Sequence, residues 1–147
     1  TTDHATVARL ISTNLIGTIN VCQLLAPLMI RQRQGSFINF STIAVALGLQ
    51  GESVYAASKA GVETFSRVFA RELADFNIRV NCIAPGAFSS EMMDGMLSRV
   101  GDISQGFPRK RICDPAQMDS TLLFLVSPAS ECVTGTVIKI DDGQGPR

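Results

Sequence analysis

The sequence predicts an α/β protein built on a parallel sheet with covering helices. Helix-like and strand-like segments alternate at the spacing of βαβ units, which makes successive strands parallel. The strand-like runs are short and apolar, with glycine, proline or polar turn residues at their ends. Hydrophobic residues make up 46% of the 147 residues and charged residues 18%, a balance typical of one well-packed domain.

The first predicted element is a long helix over about residues 6–33, where apolar residues recur at helical spacing. Pro27 falls inside this helix and is expected to kink it or to mark a weak turn. The run SFINFS at residues 36–41 follows and predicts a short buried strand. Residues 42–52 contain two glycines and are predicted to form a loop.

A second long helix is predicted over about residues 53–75, with Asn77 as its C-terminal stop. The run IRVNCI at residues 78–83 predicts the next strand, and the Ala-Pro-Gly sequence after it breaks the chain. Residues 87–112 mix a Met/Leu-rich stretch with glycine, proline and basic residues. This mixture predicts a mobile loop that contains one or two short helices.

The last part of the sequence predicts one more helix and one more strand. Asp114 is a suitable N-cap for a helix over about residues 115–126. The run TVIKI at residues 136–140 predicts the last strand, and a polar Asp-Asp-Gly turn follows it. The sequence therefore supplies about three strands, and no internal repeat or low-complexity tract interrupts them.

Composition and charge argue against several classes of function. Thirteen Lys and Arg residues balance thirteen Asp and Glu residues, so no electrostatic footprint for nucleic acid or an anionic membrane is expected. No apolar run approaches the ~20 residues of a membrane span, and no signal peptide is evident. Four widely spaced cysteines and a single histidine argue against a metal site and favour reduced thiols in a cytoplasmic protein.

Tyr55 and Lys59 are four residues apart at the start of the second long helix, so their side chains lie on one helical face. A phenol with a pKa of ~10 is a poor base at neutral pH, and a neighbouring ammonium group lowers that pKa. The pair is therefore a credible acid/base unit. The alternative is an ordinary surface lysine near a partly buried tyrosine. The spacing by itself favours this alternative, because Tyr-x-x-x-Lys is common.

Several ordered motifs around this pair resemble the classical branch of the short-chain dehydrogenase/reductase family. They are NLIG (residues 14–17), NFST (39–42), YAASK (55–59), RVNCIAPG (79–86) and a closing segment over residues 133–143. The resemblance covers nearly the whole sequence, and several motifs at the right separations are far more specific than any one of them. It implies a Rossmann-like, doubly wound parallel sheet, of which residues 1–147 form a single partial domain, the C-terminal part.

The resemblance implies a catalytic role for four residues. Tyr55 matches the family's acid/base, and Lys59 matches the lysine that binds the nicotinamide ribose and lowers the pKa of the tyrosine. Asn14 matches the asparagine that holds a water in the proton relay. The family's catalytic serine lies about thirteen residues before the tyrosine, a position that Thr42 occupies here. A threonine hydroxyl can still donate to a substrate oxygen, and Ser41 takes this role only if the strand register shifts.

The resemblance also implies NAD or NADP as cofactor, held by the tyrosine and lysine and by the turn after the second predicted strand. Pro85 and Gly86 match the family's Pro-Gly turn beside the nicotinamide, and Phe88 and Ser90 belong to the same cofactor-binding stretch. Ser90 keeps the hydroxyl that is expected to meet a cofactor carboxamide or phosphate oxygen, and it can also cap the following helix. Asp142 replaces a glycine of the family's closing Asp-Gly-Gly, which leaves the geometry of that turn open.

The sequence lacks the glycine-rich turn that brings a backbone close to a dinucleotide pyrophosphate. The part that resembles the family begins just before the helix carrying Asn14, so the N-terminal dinucleotide-binding part is absent. We interpret the sequence as part of a longer protein. A naturally short protein is the alternative, and it would leave a long unpaired edge on its parallel sheet.

The predicted function is hydride transfer between NAD(P)(H) and a carbonyl or secondary alcohol, with Tyr55 as acid/base and a small molecule as substrate. The resemblance implies a homodimer or homotetramer formed through the two long helices. Two alternatives remain open: a non-enzymatic binding module of the same fold, and an inactive fragment of the enzyme. Six apolar side chains are candidates for a substrate pocket, or equally for the core: Val45, Leu47, Met92, Met93, Met96 and Leu97.

Overall fold

The computed structural model describes residues 2–146. Three strands, β1 (Gly35–Phe40), β2 (Ile78–Pro85) and β3 (Val137–Ile140), form one parallel sheet in the order β1-β2-β3. β1 pairs with β2 over its whole length. The predicted three-stranded parallel sheet is confirmed, and each strand lies close to its predicted bounds.

Residues 2–146 also contain six α-helices, one π-helical turn and four short 3₁₀ turns. The α-helices are α1 (His4–Ile11), α2 (Gly17–Gln32), α3 (Ala44–Leu47), α4 (Ser53–Glu72), α5 (Glu91–Val100) and α6 (Asp119–Val126). The π-helical turn is Ser12–Ile16, and the 3₁₀ turns are Ala74–Phe76, Ser104–Gly106, Pro115–Met118 and Pro128–Ser130.

Helices cover both faces of the sheet. On one face, α2 and α4 pack against β1 and β2, and Phe37, Phe69 and Val80 belong to the main cluster of buried side chains there. On β1, the Ser36 hydroxyl donates to the carbonyl oxygen of Leu125 in α6 at 3.0 Å. Because successive side chains of a strand alternate between faces, α6 covers the face opposite to α2 and α4. The doubly wound arrangement is therefore confirmed.

The first long helix runs from His4 to Gln32, but its hydrogen-bond pattern widens to the π-helical turn at Ser12–Ile16. The Thr18 hydroxyl donates to the carbonyl oxygen of Asn14 in this turn at 2.8 Å. Pro27 lies inside α2 without ending it, so no turn interrupts the helix there, and the predicted kink stays a prediction. A change in the hydrogen-bond pattern falls at the π-helical turn, a feature frequently found at functional sites.

The same helix, His4–Gln32, is long and apolar enough to cross a membrane by length and composition alone. This differs from the sequence-based expectation that no apolar run approaches such a length. Cys22 and Ala26 are buried against the main cluster of buried side chains, while Leu24 faces outward and is 76% exposed. One side of the helix therefore packs on the sheet, and the other presents a bare apolar face.

Several helix ends follow local sequence signals. Asn77 adopts a left-handed conformation (φ 58°) after α4 and its 3₁₀ turn, as predicted for a C-terminal stop. The Asp114 carboxylate accepts the N–H of Ala116 at 2.9 Å and caps the turn that leads into α6. Residues 42–52, predicted as a loop, contain the short helix α3. Residues 87–112 contain the ten-residue helix α5 and a 3₁₀ turn, in agreement with the one or two short helices predicted there.

Candidate active site

The carboxyl ends of the three parallel strands open onto one cavity of about 470 Å³. Thr42 follows β1, Gly86 follows β2 and Gln144 follows β3, and all three line this cavity. Open parallel sheets bind their ligands in crevices outside the carboxyl ends of the strands. The cavity is therefore the candidate active site.

Tyr55 lies in the first turn of α4 and lines the cavity. Lys59 follows it by one helical turn, as the spacing predicts, and its Nζ donates to the carbonyl oxygen of Phe40 at 3.0 Å. Phe40 is the last residue of β1. The lysine therefore ties the start of α4 to the carboxyl end of β1.

The pKa of Tyr55 is raised above its ordinary value of 10.0. Burial is the largest cause because it disfavours the phenolate, the neighbouring Thr42 hydroxyl acts in the opposite direction, and the negative charge of Glu52 raises the pKa further. The expected lowering of this pKa by Lys59 is not seen. The Lys59 ammonium donates to the Phe40 carbonyl instead, and burial lowers the pKa of Lys59 itself. Tyr55 is thus a neutral phenol at neutral pH.

The two candidate hydroxyls at the end of β1 have different surroundings. Thr42 lines the cavity and interacts with Tyr55, and its Oγ1 accepts the N–H of Ala44 at 3.2 Å. Ser41 is buried, and its hydroxyl donates to Oε1 of Glu63 at 2.6 Å. The structure therefore brings Thr42 together with Tyr55 and directs the Ser41 hydroxyl elsewhere.

Asn14 is half-buried in the π-helical turn. Its Nδ2 donates to Oγ of Ser58 at 3.1 Å, and the Ser58 hydroxyl donates to the carbonyl oxygen of Tyr55 at 2.7 Å. Ser58 is fully buried, whereas Asn14 at the end of this chain of bonds is half-buried. The structure thus connects Asn14 to the helix turn that carries Tyr55 but does not place it in the cavity lining. Its part in a proton relay stays a prediction.

The Pro85-Gly86 turn at the end of β2 packs against the C-terminal turn of the chain. The Gly86 N–H donates to the carbonyl oxygen of Ile140 at 2.9 Å. A Cβ at Gly86 would lie 2.9 Å from Cα of Asp141 and 2.7 Å from Oε1 of Gln144. Contact with backbone at that distance leaves no room for any side chain, so the close approach of these two turns requires glycine.

Phe88 and Ser90 lie just beyond this turn. Phe88 is 8% exposed and forms an isolated bridge with Cys113. The Ser90 hydroxyl accepts the N–H of Met93 at 3.1 Å and caps α5, which was one of its two expected roles. Contacts of both residues with a cofactor stay predictions.

Most of the cavity lining is apolar. Of the six candidate pocket residues, four line the cavity: Leu47, Met92, Met93 and Met96. Val45 and Leu97 do not line it. Nine further residues line the cavity and were not among the candidates from the sequence, because they lie outside the quoted motifs: Ile43, Ala44, Leu49, Gly51, Glu52, Ala87, Ile103, Phe107 and Gln144. Among residues 2–146, no group of three or more His, Cys, Asp or Glu side chains is placed to hold a metal ion.

Together these features define a Rossmann-type α/β protein with a tyrosine and a threonine hydroxyl at the carboxyl edge of its sheet. The sequence model of a family described as Enoyl-(Acyl carrier protein) reductase matches residues 1–144. The chain belongs to the short-chain dehydrogenase/reductase family.

The chain is 41% identical over 134 residues to the 3-oxoacyl-(acyl-carrier-protein) reductase FabG of Thermotoga maritima, covering 90% of this chain and 54% of that protein. It is 37% identical over 137 residues to carbonyl reductase family member 4 of Xenopus tropicalis, covering 93% and 56%. A gluconate 5-dehydrogenase from Burkholderia cenocepacia, solved with NADP and tartrate, superposes with a TM-score of 0.92 at 26% identity, over 97% of this chain and 57% of that one. The chain spans about half the length of the curated relatives it matches.

Proposed function

We propose that this chain is the catalytic C-terminal part of an NAD(P)-dependent reductase that interconverts a carbonyl compound and its secondary alcohol. The observation that carries the proposal is the meeting of Tyr55 and Thr42 on an apolar cavity at the carboxyl edge of the sheet. The names of two relatives, a 3-oxoacyl-(acyl-carrier-protein) reductase and a carbonyl reductase, denote the same type of reaction and support it.

The residues present at this edge fit a nicotinamide cofactor. Gly86 lines the cavity at the end of β2, and Lys59 reaches the end of β1 from α4. Lys59 and Tyr55 would hold the nicotinamide ribose, and Pro85, Gly86, Phe88 and Ser90 would bind the nicotinamide side of the cofactor. NAD or NADP, when bound, would donate or accept the hydride.

The chain's own residues would manage the substrate oxygen and the proton. The hydroxyls of Thr42 and Tyr55 would hold the carbonyl oxygen, and Tyr55 would give its phenolic proton to that oxygen as negative charge develops there. The raised pKa keeps the Tyr55 phenol protonated at neutral pH, which suits carbonyl reduction better than alcohol oxidation. Asn14 would hold a water that resupplies the proton to Tyr55. Ser58 links Asn14 by hydrogen bonds to the helical turn that carries Tyr55.

A binding module of the same fold that has lost catalysis is the competing proposal. Such a module needs the apolar cavity but has no need for two hydroxyls that meet within it. Apolar walls with a few convergent polar groups, one of them a titratable residue with a perturbed pKa, are typical of active sites. This combination favours the enzyme.

The proposal is tested by NADH and NADPH oxidation with a panel of carbonyl compounds, using the longer protein that contains this chain and residues 1–147 by themselves. We expect carbonyl-dependent oxidation by the longer protein. Residues 1–147 alone should lack normal cofactor affinity, since this sequence has no glycine-rich phosphate turn. Tight cofactor binding by the longer protein without turnover of any carbonyl would favour the binding module.

A further inference from the structure

Asp142 has a backbone conformation that normally favours glycine, yet its side chain is fully engaged. Its φ is 52°, in the left-handed region, where aspartate is tolerated but glycine carries no steric cost. Its side chain is only 10% exposed. The Asp142 carboxylate is bonded at this position to partners that are distant in sequence. This combination points to a specific role for the carboxylate.

The carboxylate of Asp142 binds two arginines. Arg111 forms a two-pronged pair, with Nε at 2.7 Å from Oδ2 and Nη2 at 3.0 Å from Oδ1. Arg109 adds a third bond, from Nη1 to Oδ1 at 2.7 Å. Two-pronged arginine–carboxylate pairs combine strength with a fixed orientation. Arg111 is the better-fixed partner, since its side chain is 38% exposed and that of Arg109 is 63% exposed.

Both arginines belong to the segment over residues 101–112, which returns from α5 to the sheet. Ile103 and Phe107 of this segment line the candidate active site. Beyond the segment, Cys113 is fixed by backbone bonds: its N–H donates to Ala87 at 2.9 Å, and its carbonyl oxygen accepts the N–H of Ser89 at 2.9 Å. The two arginines therefore hold the stretch between Phe107, which lines the cavity, and Cys113, which is fixed by its backbone bonds.

We propose that Asp142 is a positioning residue that holds residues 101–112 over the cavity, so that Ile103 and Phe107 form a fixed apolar wall for the substrate. The C-terminal turn then joins two sides of the active site. Gln144 accepts the N–H of Ala87 at 2.7 Å next to the Pro-Gly turn, while Asp142 holds the opposite segment. This positioning role rests on the proposed function only for its expected effect on KM.

The clamp is permanent rather than a pH switch. Hydrogen bonds from Arg111, followed by those from Arg109, lower the pKa of Asp142 from 3.8 to about 2, although partial desolvation opposes them. A carboxyl group with a lowered pKa contributes its stabilisation above its unfolded value and loses it as the pH falls through the folded value. The clamp therefore persists above about pH 4 and weakens only between pH 3.8 and about 2.

The test uses Asp142→Asn in the longer protein, because asparagine keeps the shape and tolerates the left-handed backbone but removes the charge. Trypsin can cut after Arg109, Lys110 and Arg111, and mass spectrometry identifies cleavage at each bond. We expect these bonds to be cut about tenfold faster in the variant, as loss of a charge-assisted hydrogen-bond set predicts. With an apolar carbonyl substrate, we expect KM to rise about tenfold while kcat changes much less.

Three further variants separate the clamp from general stability. Asp142→Gly removes the carboxylate and relieves the backbone, so it should reproduce both effects even if Asp142→Asn folds poorly. Arg111→Gln combined with Asp142→Asn should add little to Asp142→Asn, because the Arg111–Asp142 pair is already lost, and cleavage is compared only after Arg109 and Lys110 because this substitution removes the trypsin site at residue 111. Glu131→Gln removes a carboxylate that forms no ion pair among residues 2–146, and it should change neither trypsin cleavage nor KM.

Unchanged trypsin cleavage at residues 109–111 in both Asp142 variants would overturn the clamp. So would faster cleavage without any change in KM, since the wall would then not depend on it. The trypsin measurement needs no enzymatic activity. A longer protein without carbonyl reductase activity would therefore refute the proposed function and still leave the clamp to be decided by proteolysis.

Discussion

Three effects act on the pKa of the Tyr55 phenol, two that raise it and one that lowers it. Burial raises its pKa most, the neighbouring Thr42 hydroxyl lowers it, and the charge of Glu52 raises it again. Glu52 directly precedes α4 and makes no capping hydrogen bond with its side chain. Its charge can therefore be removed without disturbing the helix start. The acidity of the proposed proton donor is thus open to adjustment through a single neighbouring carboxylate.

We predict that Glu52→Gln moves the alkaline limb of the pH profile of kcat/KM for carbonyl reduction to lower pH. Loss of a negative charge beside the phenol favours the phenolate, so the pKa of Tyr55 falls and the donor is lost at lower pH. Glu72→Gln, on the last residue of α4, is the control and should leave the limb in place. A limb that stays fixed or moves upward in Glu52→Gln would contradict this explanation.

A second prediction separates the two hydroxyls at the end of β1. Thr42→Ala should reduce kcat by about 100-fold, as loss of a donor to the developing oxyanion does elsewhere, whereas Thr42→Ser should stay active. Ser41→Ala removes the 2.6 Å bond to Glu63 and should lower the free energy of unfolding by ~1–3 kcal/mol with kcat nearly unchanged. Steady-state kinetics and denaturant unfolding measure these effects. Loss of activity in Ser41→Ala with a normal Thr42→Ala would reverse the assignment.

At the scale of the elements, the contact between the turn after β2 and the C-terminal turn predicts that alanine substitutions at two glycines change the free energy of unfolding in opposite directions. Gly86→Ala places a Cβ 2.9 Å from backbone and should lower the free energy of unfolding by ~1–3 kcal/mol. Gly95→Ala, within α5, meets no atom within 4 Å and should raise it by ~0.5–1 kcal/mol, because alanine favours a helix. Urea unfolding of the longer protein measures both changes in the free energy of unfolding. Equal effects of the two variants would contradict the close approach at Gly86.

Helix ends and strands were predictable because their signals lie within a few residues. Ser90 caps the N–H three residues later, and Asn77 sits at a left-handed stop directly after α4 and its 3₁₀ turn. The repeated alternation of short apolar runs with long amphipathic segments was enough to predict three parallel strands. The order of these elements thus depends mainly on local chemistry and patterning.

Other features were not predictable because distant residues decide them. The Ser41–Glu63 bond spans 22 residues, and the bonds from Arg109 and Arg111 to Asp142 span 33 and 31. The four-residue spacing predicted that Lys59 and Tyr55 share one helical face. The Lys59 ammonium group, however, donates to the carbonyl oxygen of Phe40 at the end of β1, which lies outside the helix. The π-helical turn around Asn14 has no local signal that we recognise.

At the scale of the whole molecule, the two long helices leave an apolar face uncovered. Val21, Leu24 and Leu28 on α2 are 55%, 76% and 48% exposed, and Val68 on α4 is 50% exposed. Contiguous exposed apolar side chains mark interaction surfaces. The implied homodimer or homotetramer through these helices would cover this face, and it stays a proposal.

We predict that the longer protein is at least a dimer by light scattering at micromolar concentration, and that Leu24→Glu shifts it toward a smaller species. The buried charge would have no partner in a helix–helix interface, which strongly disfavours association. Leu123→Glu changes a leucine of comparable exposure, 67% against 76%, on α6 on the other side of the sheet, and should leave the α2 and α4 interface intact. A monomeric wild-type protein would contradict the proposal.

The central claim is that Tyr55 supplies the proton in an NAD(P)-dependent carbonyl reduction. The most direct measurement is kcat of the longer protein and its Tyr55→Phe variant with the best carbonyl substrate, alongside titrations of NADH or NADPH binding. Phenylalanine keeps the ring and removes only the hydroxyl, so kcat should fall by at least ~100-fold while cofactor affinity stays nearly normal. A variant that reduces the carbonyl at close to the wild-type rate would contradict the account.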